Sequence, residues 1–365
     1  MGFLEKHENR LYLAAIAFCV LAALFLSSSL ALYKGVPGGS DFWYHYSFAE
    51  KYANGEMALF DEELMKNNGG PYPPLFHMVL AFFVKIGIGV QFAALLQALF
   101  YPLALGLTAW LVWKFKGPKA AALTAVLILS SVAFFDRNGQ VTPQAFDAIF
   151  MPLAAYAFFK GKERLFLLSI IAMVYSHSPY SLLLLAAFVA YALLFSFNKK
   201  TVFKAFALSV PMVLLILFFL PSMLSAAGNA NTMQEEIILS NPLFFFLYYG
   251  GAAFLVLIAA FFAFASEKQG VLVLMKGNLS AKLQVFAMVW MVCLLPLVFF
   301  FPDRFASYLV APSAIFASLA LCDRVKEKWF ALLLIAVLLF ALQYNVSAFY
   351  GLLQSGGFYI QTPAG

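Results

Sequence analysis

Apolar runs long enough to cross a bilayer recur along this chain, and they constrain its fold more than any motif does. The first runs from Leu11 to Leu32. Approximate spans are read at 11–33, 91–113, 120–136, 145–160, 164–178, 179–197, 204–226, 243–266, 283–301, 305–322 and 329–350. A spanning helix needs about 20 mostly apolar residues, so the reading is an all-α polytopic membrane protein of about eleven transmembrane helices. Hydrophobic residues make up 64% of the 365 residues and charged ones 11%, more apolar surface than a soluble fold could cover with polar groups. The first run has the basic flank of a signal peptide. It is followed by Tyr33-Lys34-Gly35-Val36-Pro37 rather than a small-residue cleavage site, and is read as a retained helix.

The formal net charge of +6 sits mostly in short loops between spans, where basic residues set topology, so no nucleic-acid partner is expected. The clusters are Lys6 and Arg10; Lys114, Lys116 and Lys119; Lys160, Lys162 and Arg164; Lys199, Lys200 and Lys204; Lys268, Lys276 and Lys282; and Arg324, Lys326 and Lys328. All fall on the cytoplasmic side if the first helix runs outward and 74–89 is interfacial or re-entrant. That segment is short, contains His77 and Lys85, and ends in Gly87-Ile88-Gly89. Cys19, Cys293 and Cys322 lie in apolar runs without metal or disulfide spacing. No repeat or composition shift divides the chain, so 1–365 is read as one transmembrane domain. Only Gly351 to Gly365 follow the last span, so no soluble C-terminal domain is expected.

On this map a long first external loop, 34–90, and the loop 227–242 reach the outer face, with the turn 136–144 and the segment Phe301-Pro302-Asp303-Arg304. The Lys34 to Pro74 part of the first loop is the longest polar interruption of the chain, and the loop would carry short interfacial helices. Asp41 and His45 are spaced i, i+4, so on a helix they share one face and could address one ligand. Asp41 could equally be an N-cap, and His45 part of an aromatic belt with Trp43, Tyr44 and Tyr46. Asp136 and Arg137 could serve a site or simply pair with each other, and Glu235 and Glu236 could be solvated loop charges. Arg304 offers a planar fork suited to phosphate oxygens, or a partner for Asp303. His177, where one helix ends and the next begins, is a site-lining candidate. Walker A, GxGxxG, HExxH and GxSxG patterns are absent.

These residues resemble the GT-C class of membrane glycosyltransferases, and within it the catalytic subunit of oligosaccharyltransferase. Ser40-Asp41-Phe42-Trp43-Tyr44-His45-Tyr46, followed by Ala49, Asn54-Gly55 and Tyr72-Pro73-Pro74-Leu75, resembles the family's first external loop, whose Asp binds a divalent metal and contacts the acceptor. Thr232-Met233-Gln234-Glu235 resembles its T-I-x-E motif, and Arg304 through Pro312 the segment whose Arg contacts the lipid-linked phosphate. The helix pair around Met173 to Tyr180 resembles the paired helices after the second external loop. Two features depart from the family. The second loop offers Asp136 and Thr142-Pro143-Gln144 instead of a carboxylate pair, and the W-W-D-Y-G motif of the soluble domain is missing.

The resemblance implies a transferase that moves a sugar or oligosaccharide from a polyprenyl-phosphate or -diphosphate carrier to a glycan, lipid or protein acceptor at the outer face of the cell membrane. It implies catalytic roles for Asp41, His45, Glu235 and Arg304 and binding roles for Arg304, His177 and Arg137. Asp41, Asp136 and Glu235 would hold a divalent metal, Mg or Mn, with His45 completing the shell or orienting the acceptor. A partner subunit would supply any separate recognition domain. Two other classes stay open: a lipid or polar-solute carrier or flippase, and a non-catalytic membrane partner subunit.

Overall fold

The structure is a computed structural model and describes residues 3–33, 40–56, 58–68, 70–177, 180–229, 249–265, 278–297 and 302–354. Among these residues the architecture is all-helical, without strands. Helix α1 (Phe3–Tyr33) leads to three short helices, α2 (Ser40–Ala53), α3 (Glu62–Asn68) and α4 (Leu75–Lys85). Then follow α5 (Gly89–Lys116), α6 (Pro118–Leu129), α7 (Val132–Asn138), α8 (Pro143–Phe159), α9 (Glu163–Val174), α10 (Tyr180–Phe195) and α11 (Lys199–Asn229). The last four are α12 (Gly251–Ala265), α13 (Leu279–Leu294), α14 (Pro302–Leu321) and α15 (Glu327–Gln354).

Small residues place α6 and α14 at the centre. Every residue of α6 from Ala120 to Leu129 is buried, and Ala306, Ala311, Ala314, Ala317 and Ala320 let neighbouring backbones approach α14 closely. Helices α1 and α11 instead present large apolar side chains outward, with Leu21, Phe25, Leu214 and Phe218 all exposed. Such faces suit lipid, where hydrocarbon replaces water as the solvent.

Among the described residues four helices are long and apolar enough to cross a membrane alone, Asn9–Ser29, Gly89–Lys116, Lys199–Met223 and Arg304–Leu321, and a bent pair makes a fifth if it is one span. Several other expected spans are shorter apolar helices, among them Tyr180–Phe195, Ala253–Ala265 and Leu279–Leu294. The expected straight span 120–136 is one place where the structure differs, because α6 and α7 meet at a 77° bend. Two serines cause it. Ser130 Oγ donates back to the Leu127 carbonyl at 2.7 Å, and Ser131, with extended backbone, caps α7 by accepting from the Phe134 N–H.

The bend is packed against Gly250, whose φ is +110° and where an added Cβ would lie 2.6 Å from the Ser130 carbonyl oxygen. Gly250→Ala is therefore expected to destabilise the protein by about 1–3 kcal/mol through strain and steric conflict. Thermal unfolding in lipid checks this, and an unchanged midpoint would refute the assigned contact.

Helix α4, with its 11 residues, is about 16 Å long and cannot span the hydrocarbon core. It buries Phe76, His77 and Leu80 against α2 and α5 while Met78, Phe82 and Ile86 stay exposed. Described members of the basic clusters gather at the opposite end of the bundle. Lys116 pairs with Asp323, Lys119 with Glu327 at 2.7 Å and Lys204 with Glu163 at 2.5 Å. Lys160 lies over Phe115 and Lys282 over Phe197. Tyr12 donates to the same Glu327 that binds Lys119, tying α1 to this end.

Candidate functional site

On α2 the residues Phe42, His45, Tyr46 and Ala49 are all buried, a helical stripe that turns His45 inward. His45 Nδ1 lies 2.9 Å from His77 Nε2 of α4, so one imidazole donates to the other. The Tyr72 ring stands edge-on to His45, with centroids 5.3 Å apart. The Leu75 N–H donates to the Tyr175 carbonyl at 2.8 Å, docking the start of α4 on the turn that follows α9. That turn presents His177, whose N–H donates to the Met173 carbonyl at 2.9 Å.

The turn between α7 and α8 closes the other side. Thr142 caps α8 by accepting from the Ala145 N–H at 3.3 Å, and Gln144 donates across to Ser307 Oγ of α14 at 3.1 Å. Arg137 lies in the last turn of α7 and Arg304 in the first turn of α14.

A cavity of about 120 Å³ forms where these segments meet. Arg137 and Arg304 supply its charge, His45 and His177 its imidazoles, and Tyr44, Tyr72, Gln140, Thr142 and Gln144 its neutral polar groups. Sequence reading thus singled out four residues far apart in the chain, His45, Arg137, His177 and Arg304, that fold onto one cavity.

Asp136 is not among its lining residues. Its Oδ2 lies 3.9 Å from Arg137 Nε, and its carbonyl accepts from Gln140 Nε2 at 2.8 Å. Asp41 begins α2 one helical turn before His45, but its side chain lies outside the described residues, as do Asp303's side chain and all of Glu235 and Glu236. Two groups beside the site were missed in the sequence, His77 and Asp147. Each is a buried ionisable residue in an apolar helix, a pattern that is costly in a membrane protein and so marks function.

Burial holds His45 and His177 down to about 3, with His177 and Arg304 adding to the effect on His45, and Arg304 and Arg137 to that on His177. Burial also lowers His77, helped by His45 and opposed by a hydrogen bond with the Pro73 backbone. The imidazoles are therefore neutral near pH 7, and the fixed charge of the cavity is that of two guanidinium groups.

Both values fall below the ordinary 6.5, so the unfolded chain binds protons that the folded one does not. Stability is expected to fall between about pH 6.5 and 3, by roughly 1.4 kcal/mol per unit for each imidazole. Unfolding midpoints in lipid across that window, for wild type and His45→Phe, check the sign and the size.

Among the described residues the lining carries two guanidinium groups and no carboxylate, a set that suits an anion rather than a divalent cation. No group of three His, Cys, Asp or Glu residues is placed to hold a metal ion among the described residues. The divalent-metal expectation therefore rests on Asp41 and Glu235.

No family model matches the chain, and no curated protein does. Solved structures do. Archaeal oligosaccharyltransferase AglB from Archaeoglobus fulgidus, in complex with an inhibitory peptide and a dolichol-phosphate, matches with a TM-score of 0.59 at 14% identity over 94% of this chain. ArnT from Cupriavidus metallidurans matches at 16% identity over 89% of this chain, with TM-scores of 0.50 in the apo state and 0.49 bound to undecaprenyl phosphate. This chain spans 55% of the AglB chain and 62% of the ArnT chain. AglB and ArnT are both GT-C glycosyltransferases, and the shared course of the helices gives this chain the GT-C fold.

Proposed function

We propose that this protein is a membrane glycosyltransferase that moves a sugar or oligosaccharide from a polyprenyl-phosphate or -diphosphate carrier to an acceptor at the extracytoplasmic face of the cell membrane. The observation that carries this reading is the cavity with Arg137 and Arg304 on its wall. It lies at the end of the bundle away from the paired lysines, where a carrier's phosphate could sit while its tail stays in lipid. The GT-C fold supports the same class, and the AglB structure contains a dolichol-phosphate.

In this reading the bond between the sugar's anomeric carbon and the phosphate oxygen breaks as the acceptor attacks. Charge then grows on the departing phosphate, and preorganised guanidinium groups stabilise it without reorganising. Arg304 takes that role, Arg137 assists, and the neutral imidazoles of His45 and His177 offer hydrogen bonds to substrate. Asp41, at the start of α2, orients the acceptor, and Glu235 of the Thr232-Met233-Gln234-Glu235 segment takes a catalytic role. A divalent cation, Mg or Mn, would bind at Asp41 and Glu235 and add electrostatic stabilisation there.

The test is turnover by purified protein in lipid, using radiolabelled polyprenyl-linked sugars and mixed membrane acceptors. Release of sugar-free carrier with labelled acceptor supports the transferase. A protein that binds these donors without consuming any, in the presence of every acceptor fraction, is instead a carrier or a partner subunit.

A further inference from the structure

Asp147 lies behind the cavity on α8, fully buried. Its Oδ2 is 2.5 Å from Ser181 Oγ of α10 and 3.6 Å from His177 Nδ1. His177 is the only ion-pair partner within reach of this carboxyl among the described residues. The other titratable groups around it are the phenols of Tyr180 and Tyr308. Asp147 Oδ1 and His177 Nδ1 have no hydrogen-bond partner among the described residues.

The hydrogens around Ser181 can be counted. Its Oγ has three oxygen neighbours: Asp147 Oδ2 at 2.5 Å, the His177 carbonyl at 2.5 Å and the Met173 carbonyl at 3.0 Å. A serine hydroxyl has one proton, and a backbone carbonyl can only accept. If that proton goes to the His177 carbonyl one turn earlier, the contact with Asp147 needs a second proton, and only Asp147 can supply it. An ionised, fully buried carboxylate facing neutral groups would also carry a large desolvation cost.

We propose that Asp147 is a positioning residue that works as a neutral carboxylic acid. It donates to Ser181, which donates to the His177 carbonyl, and this chain fixes the turn that presents His177 to the cavity. Its proton is held and is not transferred during the reaction. The role of His177 in substrate binding rests on the transferase reading above, whereas the protonation of Asp147 does not.

The experiment compares full-length wild type, Asp147→Asn, Asp147→Ala and Ser181→Ala in lipid nanodiscs at neutral pH. Infrared spectroscopy is expected to show a protonated-carboxyl carbonyl band in wild type and Ser181→Ala that is missing from Asp147→Asn. Asparagine reproduces the shape and hydrogen-bonding of the neutral acid, so Asp147→Asn is expected to keep turnover within about threefold. Asp147→Ala and Ser181→Ala are expected to lower kcat by more than about tenfold, with donor affinity little changed. Absence of the wild-type band overturns the proposal, even if no tested donor is turned over. If the band is present but Asp147→Asn is inactive while folded, the proton is moved in the reaction and the positioning role is wrong. A wild type that binds but never transfers refutes the transferase reading alone, and the band still decides the protonation of Asp147.

Discussion

Arg304→Ala is expected to lower the rate of sugar transfer by roughly 10²–10³-fold, the loss typical when one preorganised charge-stabilising group is removed from a transition state. The argument is local. Arg304 enters the cavity from the first turn of α14, where the unsatisfied N–H groups and positive end of the helix dipole already favour an anion. Charge on the carrier's phosphate is larger in the transition state than in the bound donor, so the loss should fall more on kcat than on donor affinity. Arg304→Lys restores the charge without the planar fork and should recover only part of the rate. Steady-state kinetics on the three proteins decide this. Equal loss of kcat and donor binding in Arg304→Ala would make the residue a uniform phosphate anchor, and no loss in either would remove it from the site.

Asp41→Ala is expected to abolish detectable turnover, by about 10²–10⁴-fold if this carboxylate raises the acceptor's nucleophilicity. The residue stands in the first turn of α2, one helical turn before His45, on a helix held by the buried stripe of Phe42, Tyr46 and Ala49. Since that stripe and not Asp41 fixes the helix, the substitution should leave the fold intact. Donor binding, which the arginines on the opposite segments would carry, should survive. Transfer assays with and without a chelator, run beside donor-binding measurements, separate the possibilities. Chelator-sensitive wild type would assign Asp41 to a metal, and chelator-resistant activity that still needs Asp41 would assign it to the acceptor directly. A fully active Asp41→Ala would return the first loop to a structural role.

Much of this protein was legible in its residues taken one stretch at a time. Hydrophobic run length reports how much of a segment water must avoid, so the helical membrane character and the short, non-spanning segment 74–89 followed from sequence. So did the grouping of the lysine clusters, because loop charges are set by topology rather than by packing. Arg137, His177 and Arg304 stood out as polar residues at the ends of apolar runs, where they are costly and so informative, and His45 by its i, i+4 spacing from Asp41.

What the sequence could not contain was distance across the bundle. His45 meets His77 across 32 residues and Gln144 meets Ser307 across 163, and nothing in local periodicity encodes either pairing. The bend at Ser130 and Ser131 was invisible because two serines amid aliphatic residues read equally well as a continuous helix. Only Gly250, brought against the Ser130 carbonyl from elsewhere in the chain, shows that the close approach is part of the fold. The same limit explains the two carboxylates. Asp136 looked like a ligand by its place at a helix end, yet its neighbours are Arg137 and Gln140. Asp147 was passed over inside the expected span 145–160, yet it sits behind His177. Chain composition and spacing determined that the molecule is helical, belongs in lipid and gathers polar groups at one end. Tertiary packing alone decided which of those groups share a cavity, because side-chain chemistry in a bundle depends on neighbours from other helices.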